Sequence, residues 1–98
     1  MEYMLIVRAG FTETVERNML KMKTFSNEEL VQAYNRSVEI GIIGSYDQAV
    51  YLLSMRYVFL ERYKKSPVLI HSKIILKLTD QIKLENQVLM YLDNHPVE

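Results

Sequence analysis

The chain has 98 residues, no cysteine and a formal net charge of zero, and this length is typical of one domain. The absence of cysteine excludes disulfide scaffolds, thiolate zinc sites and cysteine nucleophiles. The first residues lack the basic segment of a signal peptide, and the most apolar stretch, 49–60, is shorter than the ~20 residues that span a bilayer. These features predict a single cytoplasmic domain over 1–98 with no membrane segment.

Charge is unevenly distributed although the total is zero. Residues 54–83 have a formal net charge of +5, whereas residues 26–53 have a formal net charge of −3. Opposed basic and acidic regions are typical of internal complementarity or of a surface that self-associates.

The N-terminal region predicts a short helix over 12–22, from an apolar stripe of Phe11, Val15, Met19 and Met22. Residues 3–8 are either a strand or the frayed start of that helix. Met22 also resembles a start of translation, in which case residues 1–21 are an N-terminal appendage.

The clearest local signal is a capping box. Ser26 is placed to cap a helix, and Glu29 is placed to reach back to the Ser26 backbone N–H. Phe25 and Leu30 occupy the positions of a hydrophobic staple. An amphipathic pattern follows, which predicts a helix over 27–40.

Gly41 and Gly44 bound a short bend after this helix. Ser45 and Gln48 then form a second capping-box pattern, which predicts a helix over 46–65. This helix is apolar around most of its circumference, so we expect other elements to cover several of its sides. The two helices predict an antiparallel helical hairpin.

The C-terminal third is ambiguous. Apolar and polar residues alternate over 68–78, which favours a strand that pairs with 3–8. Helical spacing of later apolar residues predicts a C-terminal helix over 80–94, and Pro67 could also begin a helix. The fold class predicted is mainly α.

Arg56 lies inside the apolar stretch, where a guanidinium needs a partner or a route to water. One interpretation is an arginine that binds an anion or a protein partner beside Tyr57 and Tyr63. The other is a structural arginine that pairs with an acid such as Glu39 or Glu28.

A basic cluster near the end of the second helix has two interpretations. Its cations complement the helix dipole, or they contact phosphates while Tyr57 and Tyr63 stack on bases. The second interpretation extends over the basic region 56–77 and uses Arg56, Arg62, Lys64, Lys65, Lys73 and Lys77.

The remaining motifs argue against other chemistries. The bend between the helices has isoleucines where an RNA-binding GXXG loop has polar residues, and Asp47 is unfavourable at the start of a DNA-recognition helix. His71 and His95 lack the spacing of a metal site. We therefore expect no metal, no cofactor and no catalytic activity.

The function predicted from the sequence is a small interaction or regulatory protein that binds a protein partner or itself, most simply as a homodimer. Its size fits an accessory protein of a phage or mobile element. The alternative is a nucleic-acid-binding protein that uses the basic region 56–77.

Overall fold

The computed structural model describes residues 2–72 and 75–98. These residues form an α+β domain, so the mainly α prediction is wrong. The elements in chain order are β1 (Glu2–Met4), α1 (Phe11–Met22), α2 (Asn27–Ile40), α3 (Tyr46–Tyr63), β2 (Leu69–His71), β3 (Ile75–Lys77), β4 (Ile82–Glu85) and β5 (Val88–Tyr91).

The helices follow the local signals of the sequence closely. The predicted helix 27–40 is present as α2, and both hydrogen bonds of its capping box form: the Glu29 N–H donates to Ser26 Oγ at 3.0 Å, and the Ser26 N–H donates to Glu29 Oε1 at 2.8 Å. α3 ends at Tyr63, two residues before the predicted end, because Lys64 adopts a left-handed conformation with φ 63°.

Gln48 holds the bend between α2 and α3 in a way that the capping-box pattern does not predict. Its N–H donates to Ser45 Oγ at 2.9 Å, as expected. Its side chain does not bond the Ser45 N–H, as a capping box requires, but forms two hydrogen bonds with the backbone of the bend. It accepts from the Ile43 N–H at 3.0 Å and donates to the Gly41 carbonyl at 2.8 Å. The bend is therefore fixed by a single glutamine.

The two helices of the predicted hairpin, α2 and α3, follow one another along the chain but do not pack closely against each other. α3 packs along α1, while α2 packs against β4. α2 and α3 meet through the Tyr34 and Phe59 rings, whose centroids lie 6.2 Å apart edge to face. At the α1–α3 contact, the Asn18 amide of α1 donates to the buried Ser54 hydroxyl at 3.4 Å, and this hydroxyl donates to the Val50 carbonyl within α3 at 2.7 Å. α3 is buried on most of its circumference, as its composition predicts.

The predicted C-terminal helix over 80–94 is wrong, because β4 and β5 form an antiparallel hairpin with Glu85 opposite Val88. Asn86 and Gln87 make its two-residue turn, with φ values of 52° and 66°, and two positive values are typical of a type I′ turn. α2 also holds this hairpin, since the Asn35 side chain accepts from the Ile82 N–H and donates to the Ile82 carbonyl.

A second sheet lies in the order β1-β3-β2, and all its pairings are antiparallel. Tyr3 lies opposite Leu76 and Met4 opposite Ile75, so part of the predicted pairing of 3–8 with 68–78 is present. The predicted bounds are wrong, because β1 ends at Met4 and the segment 68–78 is divided between β2 and β3, which pair with each other. Residues 73 and 74 of the second segment lie outside the described residues. β1 is one edge of this sheet.

Candidate functional site

Arg56 is a structural anchor in this fold. Its Nη1 donates to the Val68 carbonyl at 2.7 Å, and Val68 is fully buried. The predicted pairing with Glu39 or Glu28 is wrong, since neither acid pairs with Arg56 within residues 2–72 and 75–98. The guanidinium therefore satisfies a buried carbonyl at the entrance to β2.

Arg62 anchors a second part of the chain. Its Nη2 donates to the Phe25 carbonyl at 2.7 Å and lies 3.3–3.4 Å from the carbonyls of Lys23 and Met22. Its Nη1 donates to Asn27 Oδ1 at 3.2 Å. The last carbonyls of a helix lack partners within it, and a cation there satisfies them. Arg62 thus joins α3 to the end of α1 and the start of α2.

The other members of the predicted site differ in their burial. Tyr63 packs 6.3 Å from the Phe59 ring, and burial raises the pKa of its phenol. Its hydroxyl is buried and makes no hydrogen bond to the described part of the chain. Tyr57 and Lys64 are exposed and Lys65 is half-buried. The predicted cluster therefore contains two arginines that donate to backbone carbonyls, a tyrosine with a buried hydroxyl, and three side chains that are exposed or half-buried.

The wider basic region extends into the sheet. Lys77 lies in β3, opposite Glu2 and Leu69, and is half-buried. Lys73 lies outside the described residues. Of the remaining members, Arg56 and Arg62 already donate to backbone carbonyls.

The structure shows a different candidate surface on the segment 2–8, which we call the edge segment. Met4, Ile6 and Val7 in this segment have exposed fractions of 55%, 67% and 64%. Leu5, between them, is buried at 5%. Tyr3 also packs against the core. The edge segment is therefore attached to the core by Tyr3 and Leu5 and presents three apolar side chains to solvent.

The backbone of the edge segment is also available. β1 pairs with β3 on one side, and within the described residues no hydrogen bond is made by its other side. At its end, the Arg8 N–H donates to the Tyr46 hydroxyl at 3.2 Å, and the Arg8 guanidinium lies 4.3 Å from the Tyr46 ring centroid. The segment is thus held at both ends while its outer edge stays open.

The surface grooves offer little convergent chemistry. The groove between α2 and α3, about 350 Å³ in volume, is lined by Phe25, Ala33, Ile40 and Tyr51, with Glu29 and Arg36 at its sides. Within the ranges that the structure describes, no three His, Asp or Glu side chains lie close enough together to hold a metal ion.

One feature of the sequence indicates exposed apolar side chains in the edge segment. Four apolar residues follow one another from Met4 to Val7. Successive side chains of an extended segment point to opposite sides, so the core on one side cannot cover all of them. Which ones are uncovered depends on β3, which lies about 70 residues further along the chain.

In the part of the chain that the structure describes, none of the helices combines the length and apolar character needed to cross a membrane. Comparison with known proteins places the chain in no group, because no family model, no curated protein and no solved structure matches it.

Proposed function

We propose that this chain is a small interaction protein without catalytic activity that associates with a second copy of itself. The observation that supports the proposal is the exposure of Met4, Ile6 and Val7 beside an unpaired strand edge. Exposed apolar groups on a free edge favour pairing with another chain. The edge segment is therefore the surface through which we expect copies to meet.

The energetics favour association that depends on concentration. Full burial of one aliphatic side chain contributes about 1.5–3 kcal/mol. Pairing at a strand edge covers Met4, Ile6 and Val7 only in part, so the six side chains of a two-fold dimer contribute at most about 7 kcal/mol in total. Association itself costs about 4–15 kcal/mol. Because these values are comparable, we expect monomers in dilute solution and dimers as the concentration rises.

The nucleic-acid alternative stays a prediction with less support. Arg56 and Arg62 donate to carbonyls inside the protein, so both would have to exchange these bonds for phosphate contacts. A gel-shift assay at low salt tests it, since phosphate contacts bind most tightly there.

Sedimentation equilibrium over a wide concentration range tests self-association. The proposal predicts that the mean mass rises from 11.6 kDa toward twice that value. Ile6→Ser is expected to keep the protein monomeric, whereas Leu20→Ser, at a side chain of α1 that is equally exposed at 69%, is expected to leave association unchanged. A mass of 11.6 kDa at every concentration contradicts the proposal.

A further inference from the structure

The edge segment is chemically self-complementary. It begins with an acid, Glu2, ends with a base, Arg8, and has five apolar or aromatic residues between them. If two copies run antiparallel about Leu5, each acid lies opposite a base. The same arrangement places Met4 opposite Ile6 and Tyr3 opposite Val7.

Strand geometry places the matching groups on one face. Successive side chains alternate between the two faces of a strand, and the exposure of residues 2–6 follows this alternation around the buried Leu5. β1 itself ends at Met4, so pairing would extend the strand to Arg8 and place Glu2, Met4, Ile6 and Arg8 on one face. Met4 and Ile6 are both exposed. In the antiparallel arrangement they form an apolar centre of four side chains, and an ion pair closes it at each end.

Natural edge strands usually contain features that prevent such pairing, including short length, charged side chains, prolines and bulges. β1 is short, with three residues, and the two charges of the edge segment lie at its ends. The edge segment contains neither lysine nor proline, and no residue from 2 to 8 has a positive φ. Residues 5–7 make no hydrogen bond to the described part of the chain through their backbone groups. The outer edge can therefore accept a partner strand.

We propose that two copies of this chain associate by antiparallel pairing of their edge segments, with Leu5 at the two-fold axis and Glu2 of each copy opposite Arg8 of the other. This inference rests on the proposed self-association and specifies its register. It joins the two three-stranded sheets into one sheet of six strands.

Both charged groups can form the new ion pair without unfolding. Arg8 stacks its guanidinium against the Tyr46 ring, which leaves the N–H groups at the guanidinium edge free to donate to a carboxylate. Glu2 currently lies 3.8 Å from His71 Nε2, with both side chains about half exposed. Such an exposed contact is weak and easily exchanged.

Charge reversal tests the register. Glu2→Arg alone, or Arg8→Glu alone, places like charges opposite each other twice in each dimer, and we expect the dissociation constant to rise by about tenfold or more. The double variant restores the opposite charges and is expected to recover most of the native affinity. Glu16→Arg, at an exposed residue of α1, is the matched control and should change little.

Cysteine crosslinking tests the register independently, because the chain has no cysteine of its own. Directly opposite residues have Cα atoms about 5 Å apart, which permits a disulfide, whereas Met4 and its own copy would lie about 8–9 Å apart, which does not. Under oxidation, a mixture of Met4→Cys and Ile6→Cys chains is expected to form mixed dimers, and each variant alone to crosslink poorly.

The outcomes separate this inference from the proposed function. A monomer at all concentrations overturns both. A dimer whose affinity is unchanged by Glu2→Arg and Arg8→Glu, or in which each cysteine variant crosslinks as well alone as in the mixture, overturns the register and leaves self-association in place. Recovery of affinity in the double charge-reversal variant, together with preferential crosslinking in the mixture, supports the proposed register.

Discussion

Arg62 should be among the most important polar side chains for stability, because it joins α3 to the connection between α1 and α2. Its two shortest well-placed hydrogen bonds are to the Phe25 carbonyl at 2.7 Å and to Asn27 Oδ1 at 3.2 Å. A hydrogen bond from a charged group contributes about 1.5–3 kcal/mol when buried and less when exposed. We therefore expect Arg62→Met to lower the free energy of unfolding by about 2–3 kcal/mol.

Urea unfolding monitored by circular dichroism measures this difference. Arg17→Met is the matched control, because Arg17 is exposed on α1 and makes no hydrogen bond to the described residues. Arg62→Lys is expected to recover less than half of the loss, since one ammonium group cannot reproduce the planar fork of donors. If Arg62→Met and Arg17→Met agree within about 0.5 kcal/mol, the anchoring role is refuted.

Three further variants test the fold. Arg56→Met should lower the free energy of unfolding by about 1–2 kcal/mol, because the buried Val68 carbonyl loses its charged donor. An unchanged free energy of unfolding, measured by calorimetry, would contradict this. Val97→Ala should cost about 2 kcal/mol, since Val97 is fully buried at the C-terminus, and an unchanged melting temperature would show that this segment is not docked. The Ser26 N–H lowers the pKa of Glu29 below its ordinary value of 4.5, so Glu29→Gln should destabilise the protein above that pH. This difference should disappear as the pH falls through the lowered value, and a pH-independent difference would argue against the capping bond.

Local signals in the sequence predicted the helices but not the C-terminal hairpin. The capping box at Ser26 and Glu29 acts within one turn, so its effect is visible in the sequence. The Asn86–Gln87 turn lacks the glycine that usually marks a two-residue hairpin. Asn35 holds the hairpin from 47 residues away, and no local pattern records that contact.

The arginines show the same division between local chemistry and long-range structure. The sequence correctly indicates that a guanidinium at Arg56 needs a partner, but acids were expected and the fold supplies a carbonyl. The sequence places Arg62 in a possible phosphate-binding cluster, since its partners in the fold lie more than 30 residues earlier and no local pattern indicates them. The sequence also could not predict which side chains of the edge segment are uncovered, because that depends on the register of β1 with β3.

The central claim is that the outer edge of the segment 2–8 is open in the monomer and paired in a dimer. Backbone amide exchange of this segment, compared in dilute and concentrated solution, tests it most directly. We predict that amides on the outer edge exchange rapidly when dilute and become protected as the concentration rises, while those of α3 stay protected throughout. Exchange of the segment at one rate across the whole concentration range, while the mass doubles, would contradict the account.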